Sequence, residues 1–236
     1  MILVYSGKSA PSAKKIEAQG FAHIIARRQN LGDINWGRAT AQTILNPDIT
    51  NSTNKRVMRE LFAEHGVPMP KLQTHPIWDF KPNGELLTPL VGRPDKHMKG
   101  RGYWLCNSIK DVQRALRGTR RKAAATHFME FVESDHEYRV HVFKGKSIRI
   151  SEKKFTGENF HDYTTIKPTG DIKQVRKAAK QAVMALGLDF GAVDILADSD
   201  DKAYVLECNA SPGLGGTMPE VYARTFKRWY EEEHGD

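Results

Sequence analysis

Two apolar segments in the second half of the chain, each carrying one acidic residue, constrain the fold most. Residues 192–196 contain Asp194, residues 204–209 contain Glu207, and a turn-rich stretch separates them. Apolar runs on either side of turn residues predict an antiparallel hairpin. A loop of four residues, 199–202, places Asp194 directly opposite Glu207, with Cβ atoms about 5 Å apart on one face.

The same hairpin predicts a metal site. Side chains alternate along a strand, so Asn209 should share the face of Glu207 while Cys208 points into the core. Two carboxylates and an amide oxygen inside an apolar sheet would repel each other unless a cation neutralised them. Oxygen ligands favour magnesium, or manganese in its place, bound by Asp194, Glu207 and Asn209 together with substrate phosphates. The simpler alternative is a polar outer face on a half-solvated hairpin.

The size and charge of the chain exclude several classes of protein. Its 236 residues suffice for one large domain or two to three small lobes with a substantial core. Apolar residues make up 39% and charged residues 27%, which excludes a disordered or fibrous chain. The net charge of +8 favours an anionic partner, and nucleic acid, phosphate and carboxylate all satisfy that condition.

Targeting and cysteine patterns indicate a cytoplasmic protein. No apolar run reaches the roughly 18 to 20 residues of a membrane-spanning helix, and residues 1–5 are too short for a signal-peptide core. The two cysteines, Cys106 and Cys208, have no nearby partner, so neither a disulfide framework nor a cysteine zinc site is expected. The histidines lack metal-type spacing, and no serine nucleophile elbow is present.

Upstream of the carboxylate hairpin, the pattern predicts alternating helices and strands. Asn51 or Ser52 is expected to cap a helix that Gly66 ends, and Ser108 with Asp111 forms a capping box for a second helix. Strands are predicted at residues 1–5, 86–91 and 103–106, and further helices at residues 172–186 and at the carboxyl end.

A second predicted hairpin, formed by residues 138–143 and 147–153, gathers charge on one face. Its apolar residues coincide only if Val140 lies opposite Ile150, which a loop of residues 144–146 allows. The other face then carries Glu137, Arg139, His141, Arg149, Ser151 and Lys153. An ordinary solvent-exposed face remains the alternative interpretation.

A short string after the second acidic strand resembles a known family. Residues 206–214 read LECNASPGL and are similar to the magnesium-binding end of ATP-grasp enzymes, especially the ribosomal-protein glutamate ligases. The resemblance implies an α+β ATP-grasp fold, in which two α+β lobes grip ATP after a truncated amino-terminal α/β segment. On this basis we expect a short segment at 1–50, a small lobe at 51–129 and a large lobe at 130–236. It also assigns the magnesium ligands to Asp194, Glu207 and Asn209.

The resemblance implies a set of nucleotide contacts as well. Lys55, on the entry helix, would reach the ATP phosphates, and Arg93 stands where the family has a second phosphate-binding lysine. Residues 97–102 resemble the glycine loop that closes over the phosphates. The implied nucleotide-binding residues are Lys55, Arg93, Lys99, Gly100, Gly102, Glu130, Phe131, Val132, Glu137 for the ribose, and Asn159.

The implied reaction is ATP-dependent ligation of a carboxylate to an amine, through an acyl phosphate and with release of ADP and phosphate. Arg139 and Lys153 are the expected catalytic residues, and the substrates would be amino acids, peptides or proteins. The string Ile34-Asn35-Trp36-Gly37 is similar to compact phage-encoded ligases of the superfamily, which implies host cytoplasm as the location. The oligomeric state stays open.

Two alternative functions are compatible with the same sequence. The first keeps the fold and makes the enzyme a kinase of a small metabolite. The second is a basic nucleic-acid-binding protein, which the net charge and the cluster Arg117, Arg120, Arg121 and Lys122 suggest. Cations are common at helix ends, so a nucleic-acid partner is the less favoured expectation.

Overall fold

Three β-sheets organise the chain in the computed structural model, which describes residues 1–20, 30–73, 80–95, 102–155 and 163–235. The elements are β1 (Leu3–Tyr5), α1 (Ala10–Glu17), β2 (Ile34–Trp36), α2 (Thr50–Thr53), α3 (Lys55–Glu64), β3 (Leu72–Gln73), β4 (Glu85–Arg93), β5 (Trp104–Ser108), α4 (Ile109–Arg117), β6 (His127–Glu130), β7 (His136–Phe143), β8 (Lys146–Phe155), β9 (Tyr163–Ile166), α5 (Lys173–Ala185), β10 (Phe190–Ala197), β11 (Ala203–Asn209) and α6 (Met218–His234).

The amino-terminal unit is a parallel pair of strands. β1 and β2 pair from Leu3 with Ile34 to Tyr5 with Trp36. Trp36 is fully buried, stacks on Phe190 and meets Tyr222 edge-on, so this unit packs against both the large sheet and α6. Buried aromatic rings of this size are among the largest contributions to a core, because each removes an extensive apolar surface from water.

The second sheet has four strands in the order β3-β6-β4-β5, and α4 covers one face of it. The Ser108 side chain accepts a hydrogen bond from the backbone N–H of Asp111, and the Asp111 carboxylate accepts one from the backbone N–H of Ser108. The predicted capping box is therefore confirmed. Leu90, Trp104 and Phe128 of this sheet form an apolar core with residues of α4.

The third sheet has five antiparallel strands in the order β11-β10-β7-β8-β9. α5 packs on one face, where Val193, Ile195 and Val205 join the alanines and valines of the helix in the largest buried cluster. Both predicted registers are confirmed, since Asp194 pairs with Glu207 and Val140 pairs with Ile150. On the face opposite α5, Phe143 and Phe190 pack against the amino-terminal unit and α6, and Arg139 and Asp194 lie further along the same strands.

Two of the predicted loops are wrong in length. The β10–β11 loop spans five residues, 198–202, rather than four, and one extra residue in β11 restores the register. The β7–β8 turn has two residues, Lys144 and Gly145, rather than three. Lys144 and Gly145 both have positive φ (42° and 70°), which a two-residue hairpin turn with the twist of the flanking strands requires.

The entry helix has a different cap from the predicted one. Asn54 caps α3 by accepting hydrogen bonds from the backbone N–H groups of Arg56 and Val57. The predicted caps, Asn51 and Ser52, lie instead inside the short helix α2. Within the described ranges, no helix combines the length and apolarity needed to span a bilayer.

Candidate active site

A β-bulge places Glu207 on the face opposite α5. Asp194 pairs with Glu207 and Ile195 pairs with Val205, so Leu206 is an extra residue in β11. Without the bulge, strict alternation would put Glu207 on the side of Val205, which is buried in the α5 core. With the bulge, the carboxylates of Asp194 and Glu207 lie side by side on the polar face.

Seven side chains at this face form two bonded groups around the neighbouring residues Asp194 and Glu207, and we call the two groups together the charged cluster. Arg139 binds Asp194 in a bidentate manner, through Nε to Oδ1 at 2.8 Å and Nη2 to Oδ2 at 2.7 Å. Lys153 and Glu137 extend that pair, whereas Lys55 and Asn209 form the second group with Glu207. The cluster consists of Lys55, Glu137, Arg139, Lys153, Asp194, Glu207 and Asn209.

Lysines and an amide complete the charged cluster. The Lys55 Nζ lies 2.8 Å from Glu207 Oε2, and Asn209 Nδ2 donates to Glu207 Oε1 at 2.9 Å. Lys153 is hydrogen-bonded to Glu137, and its Nζ lies 3.5 Å from Asp194 Oδ1. The structure therefore brings together all the predicted metal and catalytic residues with two of the predicted nucleotide residues.

The charged cluster keeps Glu207 and Lys153 ionised. Burial raises the pKa of Glu207, but Lys55, Asn209 and Arg139 outweigh it and bring the pKa down to about 2. Burial lowers the pKa of Lys153, whereas Asp194 and Glu137 raise it, and the net shift is upward. Glu207 is thus a carboxylate and Lys153 an ammonium throughout the neutral pH range.

The structure corrects one step of the reasoning that predicted a metal. Repulsion between the carboxylates was expected to require a metal ion, but Lys55, Arg139 and Lys153 already balance the charges of Asp194, Glu207 and Glu137. The described residues contain no group of three or more His, Cys, Asp or Glu placed to hold a metal. Two carboxylates and one amide oxygen fit a hard ion whose other ligands are phosphates and water, so the magnesium site stays a prediction.

Arg93 carries a buried donor that has no partner among the described residues. Its Nη1 is buried and makes no hydrogen bond within that part of the chain, and its guanidinium lies 5.6 Å from the centre of the Tyr103 ring. Burial lowers the pKa of Arg93, and the charge of Glu207 counteracts that shift. A buried guanidinium donor next to the charged cluster is suited to an anionic ligand, because leaving it unpaired is costly.

Gly102 is the one glycine of the predicted phosphate loop that the structure describes. It has φ of 79°, and a Cβ atom there would lie 2.7 Å from Cδ and Cγ of Pro94. Both the backbone conformation and the close contact require glycine. Lys99, Gly100 and Asn159 lie outside the described residues.

The predicted adenine linker, residues 130–132, follows directly on β6. The backbone N–H of Glu130 donates to Lys71 O at 3.0 Å, and that of Phe131 donates to Pro89 O at 2.8 Å. The Glu130 carboxylate accepts from the Lys71 backbone N–H at 3.0 Å. If a backbone N–H of this linker donates a hydrogen bond to adenine, it would therefore have to be the N–H of Val132.

Sequence reasoning missed Arg59. This residue is only 7% exposed, its Nη1 donates to Lys55 O at 3.3 Å, and burial lowers its pKa while Asp95 and Glu207 raise it. Lys55 and Arg59 are four residues apart on α3, so they lie on one face of the helix. That spacing was visible in the sequence and would have identified a second cation beside the site.

His141 continues the same polar face into the core. It is 2% exposed, its Nδ1 lies 3.0 Å from Tyr222 Oη, and Ala192 is its backbone neighbour in β10. Burial, with the positive charge of Arg139, lowers its pKa from 6.5 to about 3. His141 is therefore a neutral, hydrogen-bonded core residue at neutral pH.

This depressed pKa predicts acid sensitivity. An unfolded chain binds a proton on His141 near pH 6.5, whereas the folded chain does not until about pH 3. The stabilising contribution of neutral His141 is therefore complete above pH 6.5 and is lost as the pH falls. We expect His141→Asn to remove part of the pH dependence of the unfolding free energy below pH 6.5, at most about 1.4 kcal/mol per pH unit.

Urea unfolding at several pH values measures this slope. His65→Asn is the matched control, because His65 is exposed at the end of α3. Equal slopes for wild type and His141→Asn would show that His141 is not held neutral in the folded state.

Known structures share this arrangement of sheets. The chain superposes on D-alanine–D-alanine ligase from Bacillus anthracis with a TM-score of 0.62 and 16% identity, covering 95% of this chain and 92% of that one. It also superposes on the ATP-grasp ligase PsnB, in complex with minimal precursor, Mg and ADP, with a TM-score of 0.61 and 15% identity over 96% of each chain. The fold is the mixed α and β architecture of ATP-grasp ligases.

Sequence comparison places the chain more narrowly. The profile of the RimK-like ATP-grasp domain matches residues 52–223, and this chain belongs to that family. It is 28% identical over 178 residues to a "Probable alpha-L-glutamate ligase" of Parasynechococcus marenigrum, covering 71% of this chain. It is 30% identical over 125 residues to a D-alanine–D-alanine ligase of Bordetella avium, covering 52% of this chain.

These matches also limit what carries over from the relatives. The matched segments span 38% and 36% of the two curated relatives' own lengths. The organisms named above are not phages, so the comparisons do not support the phage origin suggested by residues 34–37.

Proposed function

We propose that this chain is an ATP-dependent carboxylate–amine ligase that forms an amide or peptide bond and releases ADP and phosphate. The single observation that carries this proposal is the charged cluster, in which Lys55 and Arg139 each hold one of two adjacent carboxylates, Glu207 and Asp194. Membership of the RimK-like ATP-grasp family supports the same reaction. The substrates would be amino acids, peptides or a protein.

The proposed reaction has two steps. A carboxylate oxygen attacks the γ-phosphorus of ATP, and the bond to the ADP oxygen breaks to give an acyl phosphate. The amine nitrogen then attacks the acyl carbon, phosphate leaves with the shared oxygen, and the nitrogen loses a proton. Positioning and charge stabilisation carry most of such catalysis, so no covalent protein intermediate is required.

Two cations of the charged cluster would exchange partners when substrates bind. Lys55 would move from Glu207 to a phosphate oxygen of ATP, and Arg139 would turn its planar guanidinium from Asp194 to the acyl phosphate. Lys153 would stay between Glu137 and Asp194 or bind the substrate carboxylate. Each cation would keep an anionic partner, and Mg²⁺, when bound, would neutralise the carboxylates of Glu207 and Asp194 that the two cations leave.

Asp194, Glu207 and Asn209 would hold Mg²⁺, which would neutralise charge on the transferring phosphoryl group when bound. Arg93 would donate its buried Nη1 to a phosphate oxygen. Residues 130–132 and Glu137 would bind the adenosine part, and the glycine loop that ends at Gly102 would exclude water. We also propose that the chain divides into an amino-terminal segment at 1–50, a small lobe at 51–129 and a large lobe at 130–236.

Arg93 offers a test that separates binding from folding. We expect Arg93→Met to weaken ATP affinity about 10- to 100-fold, because a charge-assisted hydrogen bond contributes roughly 1.5–3 kcal/mol. The melting temperature of the free protein should stay the same or rise, since the variant removes a buried donor that has no partner in the described part of the structure. Calorimetric titration with ATP and thermal unfolding measure the two quantities.

Arg114→Met is the matched control for that experiment, because Arg114 is exposed on α4. If Arg93→Met lowered the melting temperature and left ATP affinity unchanged, Arg93 would have a structural role and no role in binding phosphate.

The ligase proposal itself is tested by its products. The protein would be incubated with ATP, magnesium and a pool of amino acids and short peptides, and the mixture examined by mass spectrometry. A condensed product with a stoichiometric amount of ADP supports ligation. A stable phosphorylated metabolite, formed without an amine, would instead show that the protein is a kinase. Binding of nucleic acid without ATP turnover would show that it is a nucleic-acid-binding protein.

A further inference from the structure

A cavity of about 660 Å³ opens beside the amino-terminal strands, outside the charged cluster. Tyr5, Ser6 and Gly7 line it from the carboxyl end of β1, and Gly37, Arg38 and Thr40 line it from the carboxyl end of β2. The volume is typical of small-molecule sites, and the carboxyl ends of parallel strands are where open α/β sheets bind ligands.

Buried polar groups hold the wall of this cavity in place. Asn35 is fully buried, accepts from the Arg38 backbone N–H at 2.9 Å and donates to the Arg38 carbonyl at 2.9 Å. It also donates to the carbonyl of Asn46 at 2.8 Å. The backbone that carries Arg38 is thus fixed by both ends of one buried amide, which is how a protein preorganises a binding residue.

The cavity borders the loop that follows the predicted metal ligands. A Cβ atom at Gly37 would lie 2.6 Å from Ser211 Oγ, and Ser211 is two residues beyond Asn209. Lys15 of α1 donates to Leu214 O at 2.8 Å, so the amino-terminal unit is tied to the same loop. A molecule in the cavity would therefore lie next to the carboxyl end of β11.

The charge of the lining selects the class of ligand. Arg38 is the one charged residue among the described residues that line the cavity, and the rest of that lining is polar or small. A guanidinium has five N–H donors in a planar fork, so it can bind a carboxylate through two of them and keep its other contacts. An ammonium group would find no negative partner in this lining.

We propose that this cavity binds a non-reacting carboxylate of the amine substrate, so that the amine is carried by an amino acid or a peptide. This inference rests on the proposed ligase function. It gives residues 1–50 a role in choosing the substrate, whereas the charged cluster serves the chemistry. The amine of a substrate anchored at Arg38 would extend towards the loop after Asn209.

The test compares amine substrates with and without that carboxylate. Each L-amino acid and a set of dipeptides would be offered as the free acid and as the carboxamide, with ATP, magnesium and a fixed carboxylate donor pool. We expect wild type to favour free acids by at least about tenfold in kcat/KM, as for one charge-assisted bidentate contact. Arg38→Met should abolish that preference, raise KM for the free acid and leave KM for ATP unchanged. Arg38→Lys should restore part of it.

Lys8→Met is the matched control, because Lys8 is an exposed cation of the same region that does not line the cavity. A preference for single amino acids over dipeptides would show that the carboxylate belongs to an amino acid. The reverse preference would show that it belongs to a peptide. Equal use of acids and amides by an active wild-type ligase would overturn this inference and leave the ligase function standing. The absence of any condensed product with any amine would overturn the ligase function itself.

Discussion

Glu207→Gln is expected to lower the rate of ATP turnover at least about a hundredfold, which is the loss that removal of one preorganised charged group typically causes. Glu207 has a pKa of about 2 and so carries its charge in any practical assay. Glutamine keeps its shape and removes its charge. The substitution therefore weakens the pair with Lys55 and takes one of two carboxylates from the proposed metal site.

Release of ADP at saturating ATP and magnesium measures this loss. Glu64→Gln provides the control, because Glu64 is exposed and lies at the opposite end of α3 from Lys55. Thermal unfolding should show that the Glu207 variant still folds. A correctly folded Glu207→Gln protein with the full wild-type rate would remove Glu207 from the active site.

Arg139→Met is expected to lower turnover on the order of a hundredfold or more while changing the affinity for ATP much less. In the structure Arg139 holds Asp194 through two hydrogen bonds, and in the proposed reaction it stabilises the acyl phosphate. The variant leaves Asp194 with Lys153, 3.5 Å away, as its remaining cation. Some loss of stability should accompany the loss of rate, because breaking a buried ion pair leaves a charge uncompensated.

A double variant separates these two effects. Arg139→Met with Asp194→Asn removes both charges, so it should recover stability without recovering turnover. Arg176→Met serves as control, since Arg176 is exposed on α5, on the other side of the sheet. If Arg139→Met retained the wild-type rate, or if the double variant regained it, Arg139 would be a structural residue only.

The parts of the structure that could be predicted from sequence depend on local periodicity. Alternation of apolar residues predicted the pairing of Val140 with Ile150, because a register shift by one residue would expose the core face. The pairing of Asp194 with Glu207 was predicted from a four-residue loop, and it holds because the bulge in β11 compensates for the fifth loop residue. The capping box of Ser108 and Asp111 is equally local, since both partners lie within one helical turn.

The parts that were missed depend on contacts between distant segments. The bulge at Leu206 compensates for a longer loop, and several combinations of loop length and bulge satisfy the same register. The pairing of Lys55 with Glu207 joins α3 to β11 and cannot be read from either segment alone. For that reason the sequence suggested repulsion between carboxylates, while the fold supplies cations that balance them.

Transfer of an oxygen atom tests the proposed chemistry most directly. Carboxylate substrates labelled with ¹⁸O would be incubated with the protein, ATP, magnesium and the amine that gives a product. The acyl-phosphate route requires one ¹⁸O atom in the released phosphate for each amide bond formed, together with one ADP. Unlabelled phosphate, or AMP with pyrophosphate, would contradict it.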